Sequence, residues 1–226
     1  MQEVIQYSSL SNQVYDILRR RIAERQLAPN AKLDINEIGR QLGVSRMPVV
    51  DALARLEGEG LVERRNRVGT FVTPLDNALF DEMFEARLMI EMWATPKIVS
   101  RMTASDREAI GSLLKEASLL LHGATDSSFD YLNCVRYDAE FHVGLIRLCG
   151  NSRVIDIYES LNQRAQVARV YSLRALPRAQ EGQHEHQAIF DAFAAGNVEQ
   201  AQAAQRHHIE RSRTGLSALL DKHGEL

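Results

Sequence analysis

Between Ser9 and Arg25 the apolar residues Val14, Ile17, Leu18 and Ile22 recur at three- and four-residue steps. That spacing predicts a helix with one buried face. Ala28-Pro29-Asn30 ends it. Asp34-Ile-Asn-Glu37 is a variant capping box and predicts a short helix running to Gly43. Ser45 then opens another helix, with Pro48 tolerated in the first turn because its missing N–H has no partner there. The Gly58/Gly60 pair stops this helix near Glu57. Leu61–Arg64 and Thr70–Thr73 read as two short strands joined by the turn Asn66-Arg-Val-Gly69, and Pro74 closes the segment.

From there the period is helical throughout. Six stretches are predicted, at 78–102, 105–122, 127–149, 152–171, 177–195 and 198–221. Ser105-Asp-Arg-Glu108 reads as a capping box, and Gly150-Asn151 and Gly196-Asn197 as stop-and-restart signals. Pro96 lies inside the first stretch and predicts a kink or break. The expected fold is mainly α: an N-terminal winged helix-turn-helix over residues 1–75 and an all-α six-helix bundle over 76–226.

Composition sharpens this division. With 45% hydrophobic and 25% charged residues, the chain of 226 residues is an ordinary globular one and not a disordered or fibrous one. No apolar run nears the roughly 18 residues of a membrane span, so no membrane partner is expected. Met1-Gln-Glu-Val-Ile-Gln-Tyr7 lacks the features of a secretion signal, and two cysteines make no disulfide framework, so a reduced, cytoplasmic setting is the expectation. Residues 1–75 carry 11 Lys and Arg against 9 Asp and Glu, whereas 76–226 carry 16 against 21. All seven histidines fall in the second part.

The first part is equipped to meet DNA. A helix starting at Ser45 offers free N–H groups and a positive dipole end to a phosphate. Arg46 and Met47 stand at the end from which recognition helices reach base edges. Arg55 lies further along this helix, Arg40 ends the helix before it, Arg64, Arg65 and Arg67 load the hairpin, and Gly69 allows close backbone approach. A solvated basic surface is the plainer alternative, and a net charge of only +2 leans toward it.

The string Gln41-Leu-Gly-Val-Ser-Arg-Met-Pro-Val-Val-Asp-Ala-Leu-Ala-Arg-Leu-Glu-Gly-Glu-Gly-Leu-Val62, with Gly69-Thr-Phe-Val72 after it, weighs on the other side. It closely resembles the winged helix of the GntR family of bacterial transcription regulators. The resemblance implies a homodimer on a near-palindromic DNA operator, in the cytoplasm at the nucleoid. Val50 and Val68 depart from it, standing where the family usually has arginine.

Asp138 and His142, four apart, share one helical face and make a plausible pair of metal ligands, although a simple hydrogen bond is the commoner role of such a pair. His186 and His208 each sit among apolar neighbours, where a core histidine is the plainer reading. Together with Glu185-His186-Gln-Ala-Ile189 and Arg206-His207-His208-Ile209, they resemble the all-helical FCD effector domain of the FadR branch, in its six-helix, vanillate-regulator type. That resemblance implies a divalent ion held by Asp138, His142, His186 and His208: zinc, with nickel, manganese or iron(II) as alternatives that the residues do not separate. It also implies a small carboxylic acid effector, with Arg87 as its clamp. An i,i+4 surface pair with Glu91 is the rival role for Arg87.

His122, His184, His207 and His223 read as exposed or helix-end residues. Cys134, Met83, Met89, Met92 and Trp93 read as packing or dimer residues. A ligand-responsive regulator, in the first instance a repressor, is therefore expected, and not an enzyme. The alternatives are a constitutive DNA-binding protein with a purely structural metal and, further off, a metalloenzyme, for which no nucleophile elbow, phosphate loop or zincin motif is present.

Overall fold

The computed structural model describes residues 9–74, 76–126, 128–173 and 175–223. The start that was weighed as a secretion signal lies outside the described residues, as does the side chain of His223. The chain divides into two compact units between residues 75 and 76.

In the first unit, α1 (Leu10–Ala23) is capped by Ser9, and it buries Val14, Tyr15, Leu18 and Ile22. α2 (Ile35–Leu42) is capped by Asp34, which accepts from the Asn36 and Glu37 amides at 2.8 and 3.0 Å. Glu37 does not complete the box, because its carboxylate turns to Arg40 and Gln41 instead. Gly43 ends α2 at φ +66°, a conformation that costs glycine nothing. α3 (Arg46–Gly58) buries Val49, Ala52, Leu53 and Leu56.

Three antiparallel strands form a sheet in the order β1-β3-β2. They are β1 (Lys32–Leu33), β2 (Val62–Arg65) and β3 (Gly69–Val72). β2 and β3 sit one residue from their predicted positions. β1 was not predicted, since two residues between a turn and a helix cap carry no period.

The second unit holds α4 (Asn77–Arg101), α5 (Ala104–Leu121), α6 (Tyr131–Arg147), α7 (Ser152–Ser172), α8 (Leu176–Ala194) and α9 (Val198–His223). Its core joins Ile90, Ala94 and Ile98 to Leu114, Phe141, Leu145, Tyr158, Ile189 and Phe193. Two boundary signals are corrected. α5 is capped by Thr103, not Ser105. Thr103 and Asp106 form a reciprocal capping box, and the same Thr-x-x-acid pattern simply begins two residues earlier. α6 starts at Tyr131 behind its cap Asp130, four residues after the predicted start at residue 127, which lies outside the described residues.

Pro96 does not break α4. A proline there deprives the Met92 carbonyl of its helical N–H. That carbonyl is satisfied from outside the helix by Gln202 Nε2 of α9, at 3.0 Å.

Candidate functional site

Four side chains from three helices of the second unit meet in its interior. Asp138 and His142 come from successive turns of α6, His186 from α8 and His208 from α9. All four are buried, and one ligand atom from each lies within 4.8 Å of the others. The sequence step Asp-x-x-x-His places two of them, and tertiary packing supplies the other two.

The electrostatics suit a cation. His142 Nε2 faces His208 Nε2 at 3.1 Å. Burial, reinforced by Arg87, holds His142 well below its ordinary pKa. Burial likewise lowers His208 to about 4, against the pull of Glu185. Both rings are therefore neutral near pH 7, with lone pairs to offer. Burial pushes Asp138 up, but Arg169 and the hydrogen-bonding influence of His186 outweigh it, and the carboxyl lies well below the usual range. His186 Nε2 is 3.3 Å from Asp138 Oδ1, yet it is buried without a properly formed hydrogen bond. A buried, unpartnered imidazole nitrogen beside an ionised carboxylate and two neutral imidazoles is a donor set that fits a divalent transition metal.

Residues behind these four orient them, and the sequence reading did not find them. Glu185 accepts from His208 Nδ1 at 2.7 Å and leaves Nε2 facing inward. Arg178 grips Glu185 through Nη1 and Nη2 at 3.1 and 3.0 Å. Burial raises Glu185, but His208 and Arg178 bring it down to about 2. Arg169 Nε donates to Asp138 Oδ2. The adjacency of Glu185 to His186 was the available signal, whereas nothing in sequence marks Arg169 or Arg178 as inward-facing.

Arg87 pairs with Glu91 through Nε and Nη2 at 3.2 and 3.0 Å. The pair is not a surface one, since both residues are at most 3% exposed. Glu91 also accepts from Tyr158 at 2.6 Å and Gln205 at 3.2 Å. Arg87, Arg169 and Arg178 together line a small cavity of about 20 Å³ that also touches Asp138 and His208.

Among the residues proposed for DNA, Ser45, Arg46 and Met47 are all exposed at the start of α3. Met47 keeps 63% of its surface open to solvent. Ser45 occupies the cap position without a side-chain capping bond. Arg67 stands exposed at the hairpin tip with φ +61°. Gly69 has φ +138°, and a Cβ there would meet Lys32 Cε at 2.9 Å, so the space beside it is filled by β1. Three other arginines are engaged within the unit. Arg40 pairs with Glu37. Arg55 donates to Asn12 at 2.7 Å and stacks on Tyr15. Arg65 bonds Glu63 and Asn30, each at 2.7 Å, and lies over Phe71.

A winged helix followed by a helical bundle with a closed polar centre defines a class: DNA-binding regulators that carry their own sensor domain. The profile of bacterial regulatory proteins of the gntR family matches residues 10–72, and that of the FCD domain matches 82–211. The chain belongs to the GntR family, as a member with an FCD domain. It is 30% identical over 196 residues to an uncharacterized HTH-type transcriptional regulator in an unstable DNA locus of Streptomyces ambofaciens, covering 87% of this chain and 80% of that one. It is 23% identical over 210 residues to the uncharacterized HTH-type transcriptional regulator YdhC of Bacillus subtilis, covering 93% and 92%. The solved structure of E. coli McbR/YncC shares the fold, with a TM-score of 0.66 and 20% identity over 94% of this chain and 99% of that one.

The protein is thus a DNA-binding transcription regulator with an effector domain, and its relatives are regulators and not enzymes. Among the described residues no helix is long and apolar enough to cross a membrane.

Proposed function

We propose that this regulator is a repressor whose hold on DNA is set by a small carboxylic acid bound beside a divalent metal. The observation that carries the reading is the buried quartet Asp138, His142, His186 and His208, with His186 Nε2 forming no hydrogen bond. These four residues would hold the ion, zinc in the first instance. The ion would supply a positive centre for carboxylate oxygens in a water-poor cavity. Arg87, on the cavity wall and paired with Glu91, is placed to contact the acid from α4. A homodimer presents two winged helices to a near-palindromic operator, with Ser45, Arg46, Met47 and Arg67 at the DNA. Arg40, Arg55, Arg65 and Gly69 shape the same surface, the three arginines after exchanging their present partners for phosphates. Acid binding shifts the population away from the DNA-competent form.

Metal analysis of the purified protein tests the first part. One ion per chain is expected in the wild type, and strongly reduced metal in His186→Ala. Equal metal in both would remove the ligand assignment. Titrating a carboxylate panel into the metal-loaded protein–operator complex tests the second part, with release of DNA expected for at least one acid. Metal present but no response across the panel would favour a constitutive DNA-binding protein whose ion is structural.

A further inference from the structure

Beside the quartet, Arg169 keeps a buried donor that forms no hydrogen bond. Arg169 on α7 is 5% exposed. Its Nε is used by Asp138 Oδ2, and its Nη1 donates to the Asn162 carbonyl at 3.3 Å. Its Nη2 is buried with no hydrogen-bond partner. Leaving a donor of a charged group unsatisfied in the interior is costly, so such a group invites an acceptor.

The geometry says which acceptor. Nε and Nη2 form one edge of the guanidinium fork, the edge that takes a carboxylate through two parallel bonds. Asp138 fills only half of this edge, because its Oδ1 turns to His186. The other half remains for an oxygen from elsewhere. Arg169 lines the 20 Å³ cavity bordered by Asp138 and His208, which has room for about one water as it stands. Of the other two guanidiniums in that wall, Arg87 is paired with Glu91 and Arg178 with Glu185 and Ser212.

The charges say when the acceptor arrives. Arg87 with Glu91, Arg178 with Glu185 and Arg169 with Asp138 are three opposed pairs. They cancel, so the cavity by itself has little pull on an anion. A divalent ion on Asp138 and the three histidines tips the balance by two positive charges.

We propose that Arg169 is the residue that grips the acid effector and couples it to the metal, with Nε fixing Asp138 for the ion and Nη2 taking a carboxylate oxygen. This rests on the reading of the quartet as a metal site. Because one guanidinium holds both the acid and the ion's ligand Asp138, and the ion adds positive charge beside the acid, the two strengthen each other's binding by the same factor, as linkage requires.

The test uses the full-length, metal-stripped protein, Co(II) as the ion and sodium formate as the acid. Sodium chloride at equal ionic strength is the control. Visible absorption of Co(II) reports its ligand field. In the wild type, formate is expected to change the Co(II) bands and to tighten Co(II) binding. With Co(II) raised to saturation, Arg169→Gln should need about tenfold or more formate for the same spectral change, the worth of one charge-assisted hydrogen bond. Arg169→Lys keeps a cation for Asp138 but has no fork. At a Co(II) concentration that saturates each protein it should lose the formate response, and it carries the comparison if the glutamine variant fails to fold. A formate response undiminished in these variants overturns the proposal, as does a Co(II)-loaded wild type that ignores formate. In both of those cases the metal reading stands. A wild type that takes up no Co(II) removes the metal reading and this proposal with it.

Discussion

At the scale of the residue, the site is a matter of who satisfies whom. Asp138 and His142 were legible in sequence because a helix brings every fourth residue to one face. His186 and His208 were legible only through the family resemblance, since a histidine among apolar neighbours has the same local pattern whether it packs or ligates. Arg169, Arg178 and Glu185 were not legible as site residues. A charged residue on an amphipathic helix is read as exposed until its tertiary partners are known, and these find theirs across helices.

Two predictions belong to this scale. In the metal-free protein, His142 and His208 are kept neutral by burial, so the unfolded chain binds more protons than the folded one below its ordinary histidine pKa. Stability should therefore fall as pH drops from about 6.5 toward 4, by about 3 kcal/mol from His208 alone. Asp138, lowered in the fold, contributes its loss at still more acid pH. Denaturant melts in the presence of a chelator at pH 7, 5.5 and 4.5 would show this, and a flat profile would contradict it. In the other unit, Arg46→Ala should weaken operator binding by about 1–3 kcal/mol if Arg46 reads a base edge. Fluorescence anisotropy with the operator measures that directly.

At the scale of the element, the helices were legible because their stops and starts are chemical. Gly43, Asp34, Asn151 and Gly196 do in the structure what their residue types dictate. Pro96 leaves α4 unbroken because its cost does not fall on α4 alone: α9 meets it. Met92 loses one donor and Gln202 replaces it. This makes a quantitative prediction. Gln202→Ala should cost about 0.5–1.5 kcal/mol in the Pro96 background, where it strands a carbonyl. In Pro96→Ala the helix N–H returns to Met92, and the cost of Gln202→Ala should largely vanish. A double-mutant cycle by denaturant melts measures the coupling, and additive effects would refute the account.

At the scale of the whole molecule, two units of opposite charge balance share one chain. The nearly neutral total concealed both the basic reader and the acidic bundle. The histidine asymmetry pointed to the right unit, but only three of the seven belong to the quartet. If an ion is held there, it stabilises the folded chain by mass action. With free zinc at about a hundred times its dissociation constant, that is about 2.7 kcal/mol. For a chain of this size it corresponds to about 5–10 °C in the unfolding temperature. Thermal scans before and after chelation, with zinc restored as the control, should show that shift and its reversal. An unchanged midpoint would count against an ion at the quartet.

The 3.1 Å approach of His142 to His208 has one more consequence. Glu185, ionised, accepts from His208 Nδ1, so the lone pair of that ring lies on Nε2. The bridging hydrogen between the two rings therefore belongs to His142. For both Nε2 atoms to face a cation, His142 must exchange one neutral tautomer for the other. The position open to its hydrogen is Nδ1, 3.9 Å from Glu91. Loading the site is then expected to move the His142 hydrogen from Nε2 to Nδ1.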